Sequence, residues 1–225
     1  MIKFLEWDSS FFNKKIGIVE FDDYQESLGL NDFDLIYLKQ DKDISFEIDN
    51  FINTHTETKI VFSKKINKSK CTSSDVFSLF ETAYKKTELY ELAFESGKYS
   101  RFNLDKNFSM DEFQSFYKKW IDNSLNKDFT NEILVYKYEN SVKGFVTYKT
   151  SDNYATIGLF AVHSELQGNG IGRKLLEVVE NNLYKSGISE LRIPTQLQNE
   201  PACGFYTKSG YSILEKYIIK HYWKI

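Results

Sequence analysis

Apolar and polar positions change period in a fixed order along the second half of the chain. Residues 132–138 and 142–148 alternate with period two around Glu139-Asn140-Ser141, which predicts a β-hairpin, and residues 154–162 supply a third strand. Ile171, Leu175, Leu176, Val178, Val179 and Leu183 then fall on one helical stripe that Gly187 ends. Residues 190–193 read as another strand, the segment after Asn199 as a second helix, and residues 212–219 as a final strand. Upstream, Ser109 followed by Glu112 forms a capping-box signal. It opens a helix over 109–125 whose apolar face is Met110, Phe113, Phe116, Tyr117, Trp120 and Ile121.

The first ninety residues are less regular. Residues 34–38 and 59–62 read as short strands, and 46–54 and 75–84 as helices. The opening, 4–17, interleaves bulky aromatics with polar residues, as a strand and loop feeding a core would. A short helix from Leu92 closes at Gly97, with Tyr99 and Arg101 on one side of the extended continuation. The expected organisation is a smaller α/β domain over 1–90 and a second domain over 91–225.

Of the 225 residues, 41% are hydrophobic and 16% aromatic, enough for a sizeable core. A formal charge of −3 lacks the basic excess that neutralising nucleic-acid phosphates requires, so no nucleic-acid partner is expected. The lysine-rich stretch 63–70 reads as a solvated loop rather than a binding arm. No apolar run has the length of a membrane span and residues 1–8 do not resemble a signal peptide, so a cytoplasmic location is expected, with no membrane partner. Cys71, Cys203 and three scattered histidines have neither disulfide nor metal-ligand spacing, so neither is expected.

Between the third strand and the helix of Leu175 lies Gln167-Gly168-Asn169-Gly170-Ile171-Gly172-Arg173. Glycines there let a ligand approach backbone N–H groups at the positive end of a helix, which is an anion site. The dinucleotide fingerprint does not fit, because Pro194 and Thr195, not an acid, end the next strand; the phosphate loop ending in Gly-Lys-Ser/Thr is absent too.

A second motif follows one strand later: Asn199, Ala202, Tyr206, Gly210 and Tyr211. With Val162, Gln167, Gly170 and Gly172, these residues resemble the paired motifs of the GNAT superfamily of acyl-CoA-dependent N-acyltransferases. The resemblance implies a mixed, mostly antiparallel α/β sheet flanked by helices. It implies acetyl-CoA as cosubstrate, held by Phe160, Ala161, Val162, Gln167, Gly168, Asn169, Gly170, Ile171, Gly172, Arg173, Asn199 and Tyr206. It also implies a bulge that presents the backbone N–H groups of residues 160–162 to the thioester, with no metal and with direct transfer in a ternary complex. Tyr206, two helical turns after Asn199, is the expected general acid for the departing thiolate. Cys203 reads as a small packing residue rather than a nucleophile. His163 is a candidate base through water, although a surface histidine at a strand end is the commoner situation.

The opening Leu5-Glu6-Trp7-Asp8-Ser9-Ser10-Phe11-Phe12 and the segment Ser96-Gly97-Lys98-Tyr99-Ser100-Arg101-Phe102 resemble a narrower group, bacterial nucleotide-sugar N-acetyltransferases acting on dTDP-4-amino-4,6-dideoxygalactose. That resemblance implies a nucleotide-linked amino-sugar acceptor, with Tyr99 stacking and Arg101 clamping a diphosphate. An internal ion pair is the competing role for Arg101. Some GNAT proteins line the acceptor pocket with the helix of Tyr117 and Trp120, which otherwise reads as core. Acetylation of another amine (a protein N-terminus, a polyamine or an antibiotic) and a non-catalytic acyl-CoA sensor are the alternatives. A homodimer with His221-Tyr222-Trp223 at its seam is also considered.

Overall fold

The computed structural model describes residues 2–23, 29–67 and 75–225. Its strands are β1 (Lys3–Phe4), β2 (Ile16–Glu20), β3 (Leu35–Gln40), β4 (Phe51–Lys65), β5 (Val76–Ser78), β6 (Glu132–Tyr138), β7 (Ser141–Thr150), β8 (Tyr154–Val162), β9 (Glu190–Gln196) and β10 (Ser212–Lys224). The helices are α1 (Glu6–Phe12), α2 (Lys86–Gly97), α3 (Arg101–Leu104), α4 (Met110–Leu125), α5 (Ile171–Lys185) and α6 (Glu200–Lys208).

The described strands form one ten-stranded sheet in the order β1-β2-β3-β10-β4-β9-β8-β7-β6-β5. Only β2 with β3 and β8 with β9 run parallel, so the sheet is mixed and mostly antiparallel, as expected. The β6–β7 hairpin turns at Glu139 and Asn140, both at positive φ, in the sense that matches strand twist. Strand β4 lies between β10 and β9, so residues 1–90 and 91–225 share this sheet across the expected boundary near residue 90.

Each face of the sheet carries its own helices. Ile60 and Phe62 of β4 join the cluster made with Leu175, Val179 and Tyr206 of α5 and α6. The opposite face packs Phe12, Leu89, Leu92, Phe102, Phe116 and Ile121 from α1 to α4. Because a strand alternates its side chains, His55, Glu57 and Lys59 point toward that second face. Ser109 caps α4 through the expected capping box. Met110, expected on the apolar face, is 58% exposed, as are its neighbours Ser109 and Asp111 in the first turn of α4.

Several expectations in the first half are corrected. Residues 46–54 are not a helix, because β4 starts at Phe51 and its threonine-rich run pairs with β10. Residues 75–84 form β5 and a 3-10 turn. The opening aromatics sit on α1, where the Trp7 and Phe11 rings stack 5.2 Å apart and both meet Phe116. Ser63, Lys64 and Lys65 belong to β4 rather than to a loop, and Lys64 pairs with Glu180 at 2.8 Å; residues 68–70 and Cys71 lie outside the described residues. His221 and Tyr222 are buried in β10 between β3 and β4, so they cannot form a dimer seam. No described helix is long and apolar enough to cross a membrane.

Candidate active site

The site begins with a fault in strand pairing. Phe160 of β8 faces Val146 of β7, whereas Ile157 faces Tyr148, so β8 carries an extra residue at 158–159. The Leu159 N–H turns to the Thr147 side chain, donating to Oγ1 at 2.8 Å. On its other edge β8 is bridged to β9 only over Tyr154–Thr156, and beyond that point the edge of β8 is open. The Phe160 N–H on this edge donates to Ser96 Oγ at 3.2 Å, and the Val162 carbonyl accepts from Gln167 Nε2 at 3.0 Å. The bulge expected from the sequence is therefore present, one to two residues before the expected 160–162.

A cleft of about 510 Å³ opens along that edge. Its walls are the end of α2 (Glu95, Ser96, Lys98) with Tyr99, the strand residues Phe160, Ala161 and Val162, the loop through Gln167, Gly168 and Gly170, the start of α5, and α6 with Asn199. Gly168 and Gly170 take φ of +82° and +76°, a conformation that L side chains rarely adopt. Gly170 is the N-cap of α5 and offers no side-chain cap, which leaves the first N–H groups of a fifteen-residue helix for an external acceptor. Arg173, Lys98 and Lys208 add positive charge around the same cleft. The donor set fits an anionic, phosphorylated ligand.

Asn199 caps α6, its Oδ1 accepting the Ala202 N–H at 3.3 Å. This fixes the helix that carries Tyr206 into the cleft. The Tyr206 ring packs among Phe62, Phe205, Tyr211 and Phe160 and is 6% exposed. Burial pushes its phenol pKa far up, so at neutral pH the hydroxyl keeps its proton and can donate it. The neighbouring Tyr211 hydroxyl is already committed to Glu180 at 2.8 Å.

Of the residues predicted for the site, Asn169 and Arg101 are not on the wall. Asn169 Nδ2 instead donates to the Leu166 carbonyl at 3.2 Å and braces the loop. The Arg101 guanidinium lies 4.2 Å from the centre of the Tyr37 ring and 3.9 Å from Glu57, the internal ion-pair arrangement. His163 is absent from the wall, and its backbone N–H donates to Lys143. Tyr117 is buried core and Trp120 packs on Phe116 and Phe129. The Cys203 thiol points at the Gln196 carbonyl, 3.4 Å away, and burial raises its pKa, the opposite of what a thiolate nucleophile needs.

Sequence reasoning missed Ser96, Lys98, Phe205 and Lys208 as cleft residues. The serine, glycine and tyrosine of 96–99 were visible as a motif, but nothing local shows that the end of α2 meets β8. Gly97 lets α2 lie close against α4: a Cβ there would stand 2.3 Å from the Tyr117 ring.

The Acetyltransferase (GNAT) family matches residues 87–211. The chain belongs to this family. It is 29% identical over 127 residues to a dTDP-fucosamine acetyltransferase of Escherichia coli, covering 56% of this chain and 54% of that protein. It is 27% identical over 133 residues to the spore coat polysaccharide biosynthesis protein SpsD of Bacillus subtilis, covering 59% and 46%. The chain thus spans about half the length of these curated relatives. A solved GNAT-family protein from Novosphingobium aromaticivorans superposes with a TM-score of 0.59 at 11% identity, covering 85% of this chain and 75% of that one, a likeness of fold.

Proposed function

We propose that this protein transfers the acetyl group of acetyl-CoA to the amine of a nucleotide-linked 4-amino-4,6-dideoxy sugar. The observation that carries the reading is the meeting, in one cleft, of an uncapped α5 N-terminus, the open edge of β8 and the protonated Tyr206. In this reading the N–H groups of residues 170–173, with Arg173 nearby, hold the pyrophosphate of acetyl-CoA. The edge of β8 aligns the pantetheine arm and polarises the thioester carbonyl. The amine attacks the carbonyl carbon, the C–S bond breaks, and the Tyr206 hydroxyl supplies the proton to sulfur. Asn199 acts by fixing α6, and Tyr99 is the stacking surface beside the reacting end.

The amino-sugar acceptor is supported by the similarity to the dTDP-fucosamine acetyltransferase and by the motif at 96–102. A thiol-release assay with acetyl-CoA against dTDP- and UDP-linked amino sugars tests it. Release with a dTDP-4-amino-4,6-dideoxyhexose is the expected result. Release only with peptides, polyamines or aminoglycosides would replace the acceptor class, and acetyl-CoA binding without release to any amine would make the protein a sensor.

A further inference from the structure

The edge of β8 that faces the cleft has one of its donors already in use. The N–H groups of Leu159 and His163 turn toward β7, to Thr147 Oγ1 and the Lys143 carbonyl. By strand alternation those of Phe160 and Val162 point to the open edge. Of these two, the Phe160 N–H lies next to the bulge and donates to Ser96 Oγ at 3.2 Å. A thioester carbonyl that took this N–H would have to displace the serine.

Ser96 itself faces the cleft. It stands half-buried in the last turn of α2, on the same wall as Phe160 and Tyr206. Its oxygen accepts the Phe160 N–H, and among the described residues its own hydroxyl proton goes to no acceptor. An O–H whose oxygen accepts a hydrogen bond is polarised into a stronger donor. The Tyr206 ring lies 6.3 Å from the Phe160 ring, so both hydroxyl-bearing side chains meet the cleft at one residue. The oxygen and the sulfur of a thioester are bonded to a single carbon, so donors to the two must converge on one place.

We propose that the Ser96 hydroxyl, backed by the Phe160 N–H, is the catalytic donor that binds the thioester oxygen during transfer. This rests on the proposed function and deepens it, by assigning the polarising donor at the β8 edge to a side chain of α2. As the amine nitrogen bonds to the carbonyl carbon, an electron pair moves onto oxygen, and Ser96 donates a hydrogen bond to it while keeping its proton. The C=O double bond then re-forms, the C–S bond breaks, and Tyr206 protonates the sulfur. The proton lost by the amine goes to solvent, which returns one to Tyr206. The Val162 N–H remains on the edge for the pantetheine arm. Were the serine only a strap, the Phe160 N–H would be the donor and Ser96 its competitor, and removing the hydroxyl would have the opposite effect on rate.

The test follows the carbonyl stretch of carbonyl-labelled acetyl-CoA on the intact protein by infrared difference spectroscopy, beside turnover with dTDP-4-amino-4,6-dideoxygalactose. Ser96→Ala should move the band to higher wavenumber and lower kcat about a hundredfold, the loss expected for one oxyanion donor, with acetyl-CoA affinity within about threefold. Ser96→Cys keeps the shape with a weaker donor, so both readouts should fall between wild type and Ser96→Ala, and it decides the matter if Ser96→Ala does not fold. A band that stays in place in the variants, or a kcat that is unchanged or raised, overturns the assignment. The N–H of Phe160 is then the donor, and the proposed function stands. If no amino sugar is acetylated while the band still moves in Ser96→Ala, the acceptor class falls and the role of Ser96 is upheld. If the wild-type protein binds no acetyl-CoA, both readings fall.

Discussion

The backbone N–H of Phe160 donates to the hydroxyl of Ser96 at 3.2 Å, tying the open edge of β8 to the last turn of α2. The edge on which the thioester is proposed to lie is therefore held by a side chain from an element distant in sequence. Ser96→Ala removes one partly buried hydrogen bond, worth about 1 kcal/mol, and should lower Tm by roughly 2–4 °C. Pyrophosphate contacts lie elsewhere, so acetyl-CoA affinity by calorimetry should stay within about threefold. A larger loss of affinity would move the main cofactor contact from the glycine loop to this strand.

Gly170 has open space around its Cβ position but sits at φ +76°. Gly170→Val puts a β-branched side chain in the left-handed region and over the first N–H groups of α5. Acetyl-CoA binding should fall by more than about tenfold while circular dichroism shows the helices intact. Unchanged affinity would remove the anion site from the mechanism.

Tyr206→Phe keeps the packed ring and deletes only the proton donor. Turnover should drop by about ten- to ten-thousand-fold with little change in acetyl-CoA affinity. An unchanged rate in a chemistry-limited assay would mean that the thiolate finds its proton in water.

The Asp105–His221 pair gives stability a pH dependence with a definite sign. Burial pushes the His221 imidazole down from 6.5 to about 4 against the opposing hydrogen bond to Asp105, so the folded protein holds it neutral. Burial alone would raise Asp105, but the hydrogen bonds from His221, Trp223 and Asn107 bring it to about 2. Both folded values lie below the ordinary ones, so the unfolded chain takes up protons first as pH falls. His55 is lowered by burial as well and acts in the same direction. Stability present above pH 6.5 should be lost progressively toward pH 4, with the Asp105 contribution lost between pH 3.8 and about 2. Differential scanning calorimetry should show Tm falling already between about pH 6.5 and 5, above the range where ordinary carboxylates titrate. A flat Tm there, or the same slope in His221→Gln, would contradict the assignment.

What could be read from the sequence follows how local its causes are. The hairpin at Glu139-Asn140, the cap at Ser109, the glycine loop and the helix of Tyr206 are each set by residues within a few positions of one another, and all were legible. Strand β4 was not. Its run Asn53-Thr54-His55-Thr56-Glu57-Thr58 carries few apolar side chains, and it is extended because β10, from the other end of the chain, pairs with it. For Arg101 both a diphosphate clamp and an internal ion pair were open, and the sequence could not name its neighbours, because Glu57 and Tyr37 reach it only through that sheet. The same holds for Ser96.

The place of β4 also shapes how the chain is made. A strand from the first third of the polypeptide has both its neighbours in the last sixth, so on the ribosome it emerges long before anything can pair with it. Until β9 and β10 appear, Ile60 and Phe62 and two rows of backbone donors and acceptors stay unmatched, which is the kind of segment that chaperones hold and that nascent chains aggregate through. The catalytic sheet is closed last, by its earliest long strand.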